Sequence, residues 1–231
     1  FPVEQLGYYS NSKLFYDLFV RQLSSAFNLG FFPAFSSIQE EKERFTANYL
    51  RSFGMLAFVM SLLMVTMIIS SGQFVELFLG SKWMPTVPFM VVFFIEGFYF
   101  PLLMLNQNLL SALGHSGRAL QIDIVKKILT LASIFLTFRY GIRALIAGQV
   151  ISTFLAFILS TVVMMRNLQI SPGRLIKTVI TIIFIVAVCF LTDDFVIDRL
   201  FASTTALLFV KLCCIPALYL LSGWILKVPS L

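Results

Sequence analysis

The chain has 231 residues, of which 59% are hydrophobic and 12% are charged, and its mean hydropathy is +0.93. Soluble domains carry about 25% charged residues, so this composition excludes an ordinary soluble fold. The net charge of +6 does not indicate nucleic-acid binding, because the sequence has no basic run with interleaved aromatic residues outside its apolar segments. We therefore expect an all-α protein that crosses a membrane several times and has no nucleic-acid partner.

The first predicted span, from Leu6 to Phe35, carries three charged residues in an apolar sequence. Lys13, Asp17 and Arg21 are spaced by four residues, which places them along one stripe of a helix. At about 1.5 Å of rise per residue, Arg21 lies roughly 20 Å from Gly7, well inside a hydrocarbon core of about 30 Å. Ionisable groups at that depth are costly unless they face a partner or water, so the stripe predicts a hydrated cavity.

Six further apolar segments follow, separated by short polar connections. They cover residues 52–75, about 85–112, 119–138, 144–165, about 171–191 and 204–226. The third span, 85–112, is interrupted by Glu96, Gly97 and Pro101. Short connections place consecutive helices side by side, so the sequence predicts a polytopic transmembrane helix bundle of about seven spans.

The distribution of Lys and Arg between alternate loops predicts the orientation. One side holds ten of these residues, namely Lys42, Arg44, Arg51, Arg118, Lys126, Lys127, Arg166, Arg174, Lys177 and Lys227. The other side holds four, namely Lys82, Arg139, Arg143 and Arg199. Because cytoplasmic loops carry the excess of positive charge, the C-terminus is predicted to be cytoplasmic and the first helix to begin outside.

Five short segments carry a resemblance to a known family. They are LGYYSNSKL (6–14), FFPAFSSIQEEKERF (31–45), LFLGSKW (77–83), LLSALGHSGRA (109–119) and YGIRALIAGQVIS (140–152). In this order they resemble the C-terminal half of a Wzx-type polysaccharide or O-antigen flippase of the multidrug/oligosaccharidyl-lipid/polysaccharide (MOP) exporter superfamily. The resemblance extends to about residue 170.

The resemblance implies an organisation in two lobes of six helices around a central cavity, with two extra C-terminal helices in some members. Residues 1–168 would then belong to the C-terminal lobe, and residues 169–231 would form the two additional helices. The preceding helices, including the whole N-terminal lobe, would lie in a missing part of the same chain. Members of this family are understood to move a polyprenyl-diphosphate-linked sugar to the outer leaflet of the bacterial inner membrane.

Charge and depth select the candidate residues for binding such a substrate. An anionic diphosphate cannot cross hydrocarbon unaided, and arginine and lysine are its natural partners. We expect Arg21 first, then Lys13, with Asp17 beside them, to line the cavity. Alternatively, Lys13 extends to the outer interface and Arg21 only pairs with Asp17.

Polar residues of the third span extend the candidate site. Glu96, roughly 16 Å into its helix, is a candidate for proton or sodium coupling, or else it pairs with a cation of a neighbouring helix. Asn106 and Asn108 would contact sugar hydroxyls or form interhelical hydrogen bonds. Lys211, in the last span, either lines a lateral groove or extends to an interface, and we expect the second.

Two rival interpretations also fit parts of the sequence. A lipid II flippase or a cation-coupled drug exporter of the same superfamily would share the fold. A membrane glycosyltransferase would use Asp193, Asp194 and Asp198 to hold Mg²⁺, but such enzymes normally pair two acidic motifs and the sequence has one. We therefore expect a transporter with no catalytic residues, no metal site and no cofactor.

Overall fold

The computed structural model describes residues 2–193 and 204–225, and the described residues form helices joined by short turns. The α-helices are α1 Val3–Tyr16, α2 Gln22–Ser36, α3 Lys42–Phe78, α4 Val87–Gly97, α5 Phe100–Ala112, α6 Ser116–Thr137, α7 Ile142–Leu168, α8 Pro172–Thr192 and α9 Thr204–Ile225. A π-helical turn, Asp17–Arg21, joins α1 to α2, and 3₁₀ turns at Ser81–Thr86 and Phe138–Tyr140 precede α4 and α7.

The predicted fold class, an all-α membrane helix bundle, is confirmed. Within the described residues, five helical segments are long and apolar enough to cross a membrane: Lys42–Phe78, Ser81–Ala112, Ile142–Leu168, Pro172–Thr192 and Leu207–Trp224. The other two predicted spans are also helical. They are the α1–α2 segment and α6, and both carry several charged residues, which lowers their mean hydropathy.

The predicted interruption of the third span lies at residues 98 and 99, between α4 and α5. Tyr99 leaves the helical region with φ −122° and ψ −18°, and Pro101 stands in the first turn of α5, where its missing N–H is tolerated. At the end of α4, a Cβ on Gly97 would lie 2.9 Å from Cγ2 of Val20 and would collide with Met64. Glycine therefore lets α1–α2 and α3 approach the break closely.

The π-helical turn, Asp17–Arg21, was not predicted. Such turns are rare in proteins, but those that occur are often found at functional sites. They widen one turn of an otherwise regular helix. Here the widened turn carries Asp17 and Arg21 at its two ends. Neither residue is proline or glycine, so the sequence contains no local signal for the irregularity.

The helices pack in two groups that share α3. In the first group, α4 and α5 occupy the centre, with α1–α2, α3, α6 and α7 around them. In the second group, α8 and α9 pack on α3 around a separate hydrophobic cluster that includes Phe58, Ile185, Cys189, Ile215 and Tyr219. The division into 1–168 and 169–231 remains a prediction, and α8 also contributes Leu175 and Ile182 to the hydrophobic core of the first group.

Candidate functional site

A cluster of polar and charged side chains lies in the middle of the first helix group. Its members come from four elements: Tyr16 and Arg21 from the α1–α2 segment, Glu96 from α4, Lys126 from α6 and Thr153 from α7. The break after α4 and the π-helical turn both lie at this level of the bundle. The two irregularities of the first helix group therefore adjoin its charged cluster.

Glu96 is at the centre of the cluster and is 2% exposed. Its carboxyl group faces the hydroxyl groups of Thr153 and Tyr16, and the positive charges of Lys126 and Arg21 are near it. Its Oε2 atom is buried and makes no hydrogen bond within the described part of the chain. A buried carboxylate oxygen that accepts no hydrogen bond favours the binding of a proton or a cation, and the coupling role of Glu96 stays a prediction.

Arg21 is held at one edge of the cluster and keeps an open side. Its Nε lies 3.1 Å from Oδ1 of Asp17, and the side chains of the two residues are 52% and 41% exposed. The guanidinium also lies 5.9 Å from the ring centroids of both Tyr16 and Phe100. Arg21 therefore pairs with Asp17, as in one of the predicted alternatives, and part of its side chain stays exposed.

Lys126, which the sequence places in the fourth span and counts among the cytoplasmic charges, belongs to this cluster. The residue lies ten positions into α6, or about 15 Å from Ser116, where the helix begins. Its Nζ lies 5.2 Å from the ring centroid of Phe100, and it is near Glu96 and Arg21. Lys127 lies one residue deeper in α6, so leaving both lysines out gives eight against four, and the predicted orientation is unchanged.

The predicted residues Lys13 and Asn108 are half-buried, and neither belongs to the cluster defined above. Nζ of Lys13 lies 6.0 Å from the ring centroid of Tyr9, one turn towards the start of α1. Asn108 lies on α5, two residues beyond Asn106. The structure therefore joins Arg21, Asp17 and Glu96 and leaves Lys13 and Asn108 at a distance from them.

Asn106 forms interhelical hydrogen bonds, which is the second of the two alternatives predicted for it. It is fully buried, the hydroxyl of Tyr49 donates to its Oδ1 at 2.9 Å, and its Nδ2 donates to Ser160 at 3.1 Å and to Thr161 at 3.0 Å. These bonds connect α5 to α3 and α7. Because protein groups occupy both ends of the amide, Asn106 presents no open face to a sugar in this structure.

Two cavities lie beside α1 and α7, and none of the described residues that line them belongs to the cluster. The nearer one has a volume of about 270 Å³, and Thr130 and Gln149 line it. Thr130 is one turn from Lys126 on α6, and Gln149 is one turn from Thr153 on α7. The second, of about 560 Å³, lies at the predicted outer end and includes Glu4 and Arg143. The nearer cavity is therefore separated from the cluster by about one helical turn along both α6 and α7.

A second buried charge pair lies in the other helix group. Nζ of Lys211 lies 3.1 Å from Oδ2 of Asp193, and both residues are almost completely buried. The expectation that Lys211 extends to an interface was wrong, because an acidic partner at the end of α8 is within reach. Asp193 is thus engaged with a lysine, and Asp194 and Asp198 of the acidic motif lie outside the described residues.

Comparison with known proteins gives one match to a family. A family model described as polysaccharide biosynthesis protein matches residues 1–88, which include the first three of the five resembling segments. No curated protein and no solved structure gives a significant match. The structure and this match together describe a helical membrane protein whose first 88 residues are similar to the polysaccharide biosynthesis protein family.

Proposed function

We propose that the chain is the C-terminal lobe of a flippase for polyprenyl-diphosphate-linked oligosaccharide. The substrate would be a repeat unit of O-antigen, capsule or exopolysaccharide, moved across the bacterial inner membrane by alternating access. The observation that carries this proposal is the central cluster, where the half-exposed Arg21 and the buried Glu96 meet inside an apolar bundle. The family match over residues 1–88 supports the polysaccharide substrate.

The side chains of the cluster suit a diphosphate. Arg21 offers a planar, permanently charged fork for bidentate bonds to phosphate, and Lys126 adds a second positive charge within the same cluster. Asp17 fixes the direction of the Arg21 side chain through its 3.1 Å contact. The hydrocarbon tail would remain in the bilayer while the diphosphate and sugar pass through the polar region. Lys13 and Asn108 would contact the substrate along that route.

Glu96 would couple transport to an ion. When its carboxyl group is ionised, it competes with a phosphate for the positive charges of Arg21 and Lys126. When it binds a proton or a sodium ion, those charges become available to the substrate. Binding of the ion and binding of the anionic lipid would therefore be linked through one buried carboxyl.

The remaining partners follow from this role. The missing N-terminal lobe of the same chain would close the cavity from the other side, and membrane lipids would surround both lobes. The predicted orientation places the C-terminus in the cytoplasm, so α1 descends from the outer leaflet. No nucleic acid, metal or cofactor has a part in this mechanism.

The test is the Arg21→Ala variant of the full-length protein in the organism that makes the polysaccharide. We expect surface polysaccharide to disappear while the amount of protein in the membrane stays normal. Arg51→Ala, which removes an exposed arginine of α3, is the matched control and should be without effect. Normal polysaccharide in the Arg21→Ala strain would refute the role given to this residue.

The alternatives predict different results. A drug exporter would keep its activity towards cationic compounds in Arg21→Ala, since removing a positive charge does not weaken their binding. A glycosyltransferase would lose activity in Asp194→Ala, whereas a flippase would not. Asp194 is a better choice than Asp193 for this test, because replacing Asp193 also breaks the pair with Lys211.

A further inference from the structure

A separate polar cavity lies between α6 and α7, at the end of the bundle predicted to be cytoplasmic. Its volume is about 580 Å³, and its polar wall is formed by Arg118, Gln121, Arg166 and Asn167. Both arginines are exposed, and no carboxylate occurs among the described residues that line the cavity. The cavity therefore concentrates positive charge that its own walls do not neutralise.

A side chain of the neighbouring helix holds Arg118 in place. Nη1 of Arg118 donates a hydrogen bond to Oδ1 of Asn167, and Nδ2 of Asn167 donates to the carbonyl oxygen of Val163 at 2.9 Å. Asn167 is thereby fixed to α7 and directs the guanidinium of Arg118 across the gap between the helices. A guanidinium has five N–H donors, so Arg118 keeps donors for an anion after making this bond.

The deeper wall of the cavity is apolar. It is formed by Ile122, Val125, Leu159 and Val163 from the same two helices. Val125 follows Arg118 by seven residues on α6, and Leu159 precedes Arg166 by seven residues on α7. Seven residues of α-helix span about 10 Å, so the apolar wall extends that far from the arginines into the membrane. The cavity is basic near the membrane surface and apolar deeper in the membrane. This arrangement matches a lipid with an anionic head group and an apolar chain.

We propose that this cavity binds a lipid with a phosphate or diphosphate head group. The phosphate lies between Arg118 and Arg166, which bind it through charge-assisted hydrogen bonds, and the first carbons of the chain lie against the apolar wall. The lipid is either the lipid-linked substrate of the proposed flippase or a membrane phospholipid. Both carry the chemistry that the cavity recognises.

This site is separate from the central cluster. Arg118 precedes Lys126 by eight residues, or about 12 Å along α6. Binding of a lipid at Arg118 and Arg166 also does not require transport. The proposal therefore stands even if the role given to Arg21 and Glu96 fails.

The experiment measures binding to purified full-length protein in detergent micelles, in an Arg21→Ala background that removes the central arginine. The probes are geranylgeranyl diphosphate, phosphatidylglycerol and inorganic diphosphate. We expect Arg118→Gln combined with Arg166→Gln to weaken binding of the preferred lipid about tenfold or more. The control is Arg174→Gln combined with Lys177→Gln, which removes the same charge from exposed residues of α8 and should not change binding.

The probes distinguish the two lipid sources. Tighter binding of geranylgeranyl diphosphate than of phosphatidylglycerol supports a substrate site, and the reverse order supports a phospholipid site. Leu159→Trp fills the apolar wall without changing charge, so it should weaken both lipids and spare inorganic diphosphate. Equal lipid binding by the double variant and its control would overturn the proposal, as would inorganic diphosphate binding as tightly as the lipids.

Discussion

Two charge clusters inside the same bundle differ in how completely they are closed. Lys211 and Asp193 form a buried pair between α8 and α9, and both side chains are almost completely covered. Arg21 pairs with Asp17 at the edge of its cluster, and both side chains are about half exposed. The neighbouring Glu96 is buried, and its Oε2 atom makes no hydrogen bond within the described residues. The first cluster has the geometry of a structural contact, and the second has the geometry of a site.

The surroundings of the two clusters explain this difference. Around Lys211, α9 is fixed to α3 by Tyr219, whose hydroxyl is hydrogen-bonded to Ser61 and donates to the carbonyl oxygen of Phe58 at 3.2 Å. Around Arg21, by contrast, the helix has a π-helical turn, and the side chains of Arg21 and Asp17 are about half exposed. Packing covers the Lys211–Asp193 pair almost completely and leaves one side of the Arg21–Asp17 pair uncovered. Variants in either cluster test this difference between them.

The largest effect on stability is expected for Lys211→Ala. The substitution removes the 3.1 Å contact of a buried carboxylate with its lysine, and breaking a buried ion pair is strongly destabilising, so we expect a loss of roughly 3 kcal/mol in unfolding free energy. Thermal and denaturant unfolding in micelles would measure it, and transport per folded molecule should stay near normal. A combined Lys211→Ala and Asp193→Ala variant should recover part of the stability. An unchanged midpoint for Lys211→Ala would contradict the structural role of this pair.

Glu96→Gln should have the opposite profile, with a large loss of transport and a small loss of stability. Glutamine keeps the shape of the side chain but can neither bind a proton nor carry a negative charge. We expect transport to fall about 30-fold or more, since losing a member of a buried charged set costs roughly 2 kcal/mol or more. The control is Asp123→Asn, which breaks the Asp123–Lys127 pair on α6, an ion pair with a 2.9 Å contact and partly exposed side chains. Equal transport in the two variants would remove Glu96 from the site.

The smallest effect is expected for Tyr219→Phe in the closed helix group. The substitution removes the hydroxyl that links α9 to Ser61 and Phe58, while the hydroxyl group of Ser61 keeps its donation to the carbonyl oxygen of Ala57, over an O–O distance of 2.6 Å. No buried group is left without a partner, so we expect a loss of about 1 kcal/mol in unfolding free energy. Denaturant unfolding beside Tyr140→Phe, an exposed tyrosine, would measure it. A loss of several kcal/mol would mean that the hydroxyl has a larger role than a single link between helices.

The fold could be predicted from the sequence because apolar runs of about 20 residues have few alternatives to membrane helices. The break near Gly97 and Pro101 was also predictable, since proline and glycine mark helix irregularities locally. The π-helical turn at Asp17–Arg21 was not, because no proline or glycine in that segment marks an irregularity.

The candidate site was only partly predictable for a related reason. Depth along one helix identified Arg21 and Glu96 separately, but which side chains meet depends on how helices rotate against each other. Lys126 was therefore counted only among the cytoplasmic charges, although ten residues of α6 place it at a depth similar to that of Glu96. For Asn106 the sequence left two alternatives open, because its partners Tyr49 and Ser160 come from distant parts of the chain.

The central claim is that water and an anionic head group reach Arg21 inside the bundle, and thiol labelling tests it most directly. In full-length protein without other cysteines, Arg21→Cys is compared with a variant that keeps only Cys213, which is exposed midway along α9. We expect a membrane-impermeant thiol reagent to label the Arg21→Cys protein and to leave Cys213 unlabelled, because Cys213 faces lipid. Labelling of Cys213 but not of the Arg21→Cys protein would contradict the account.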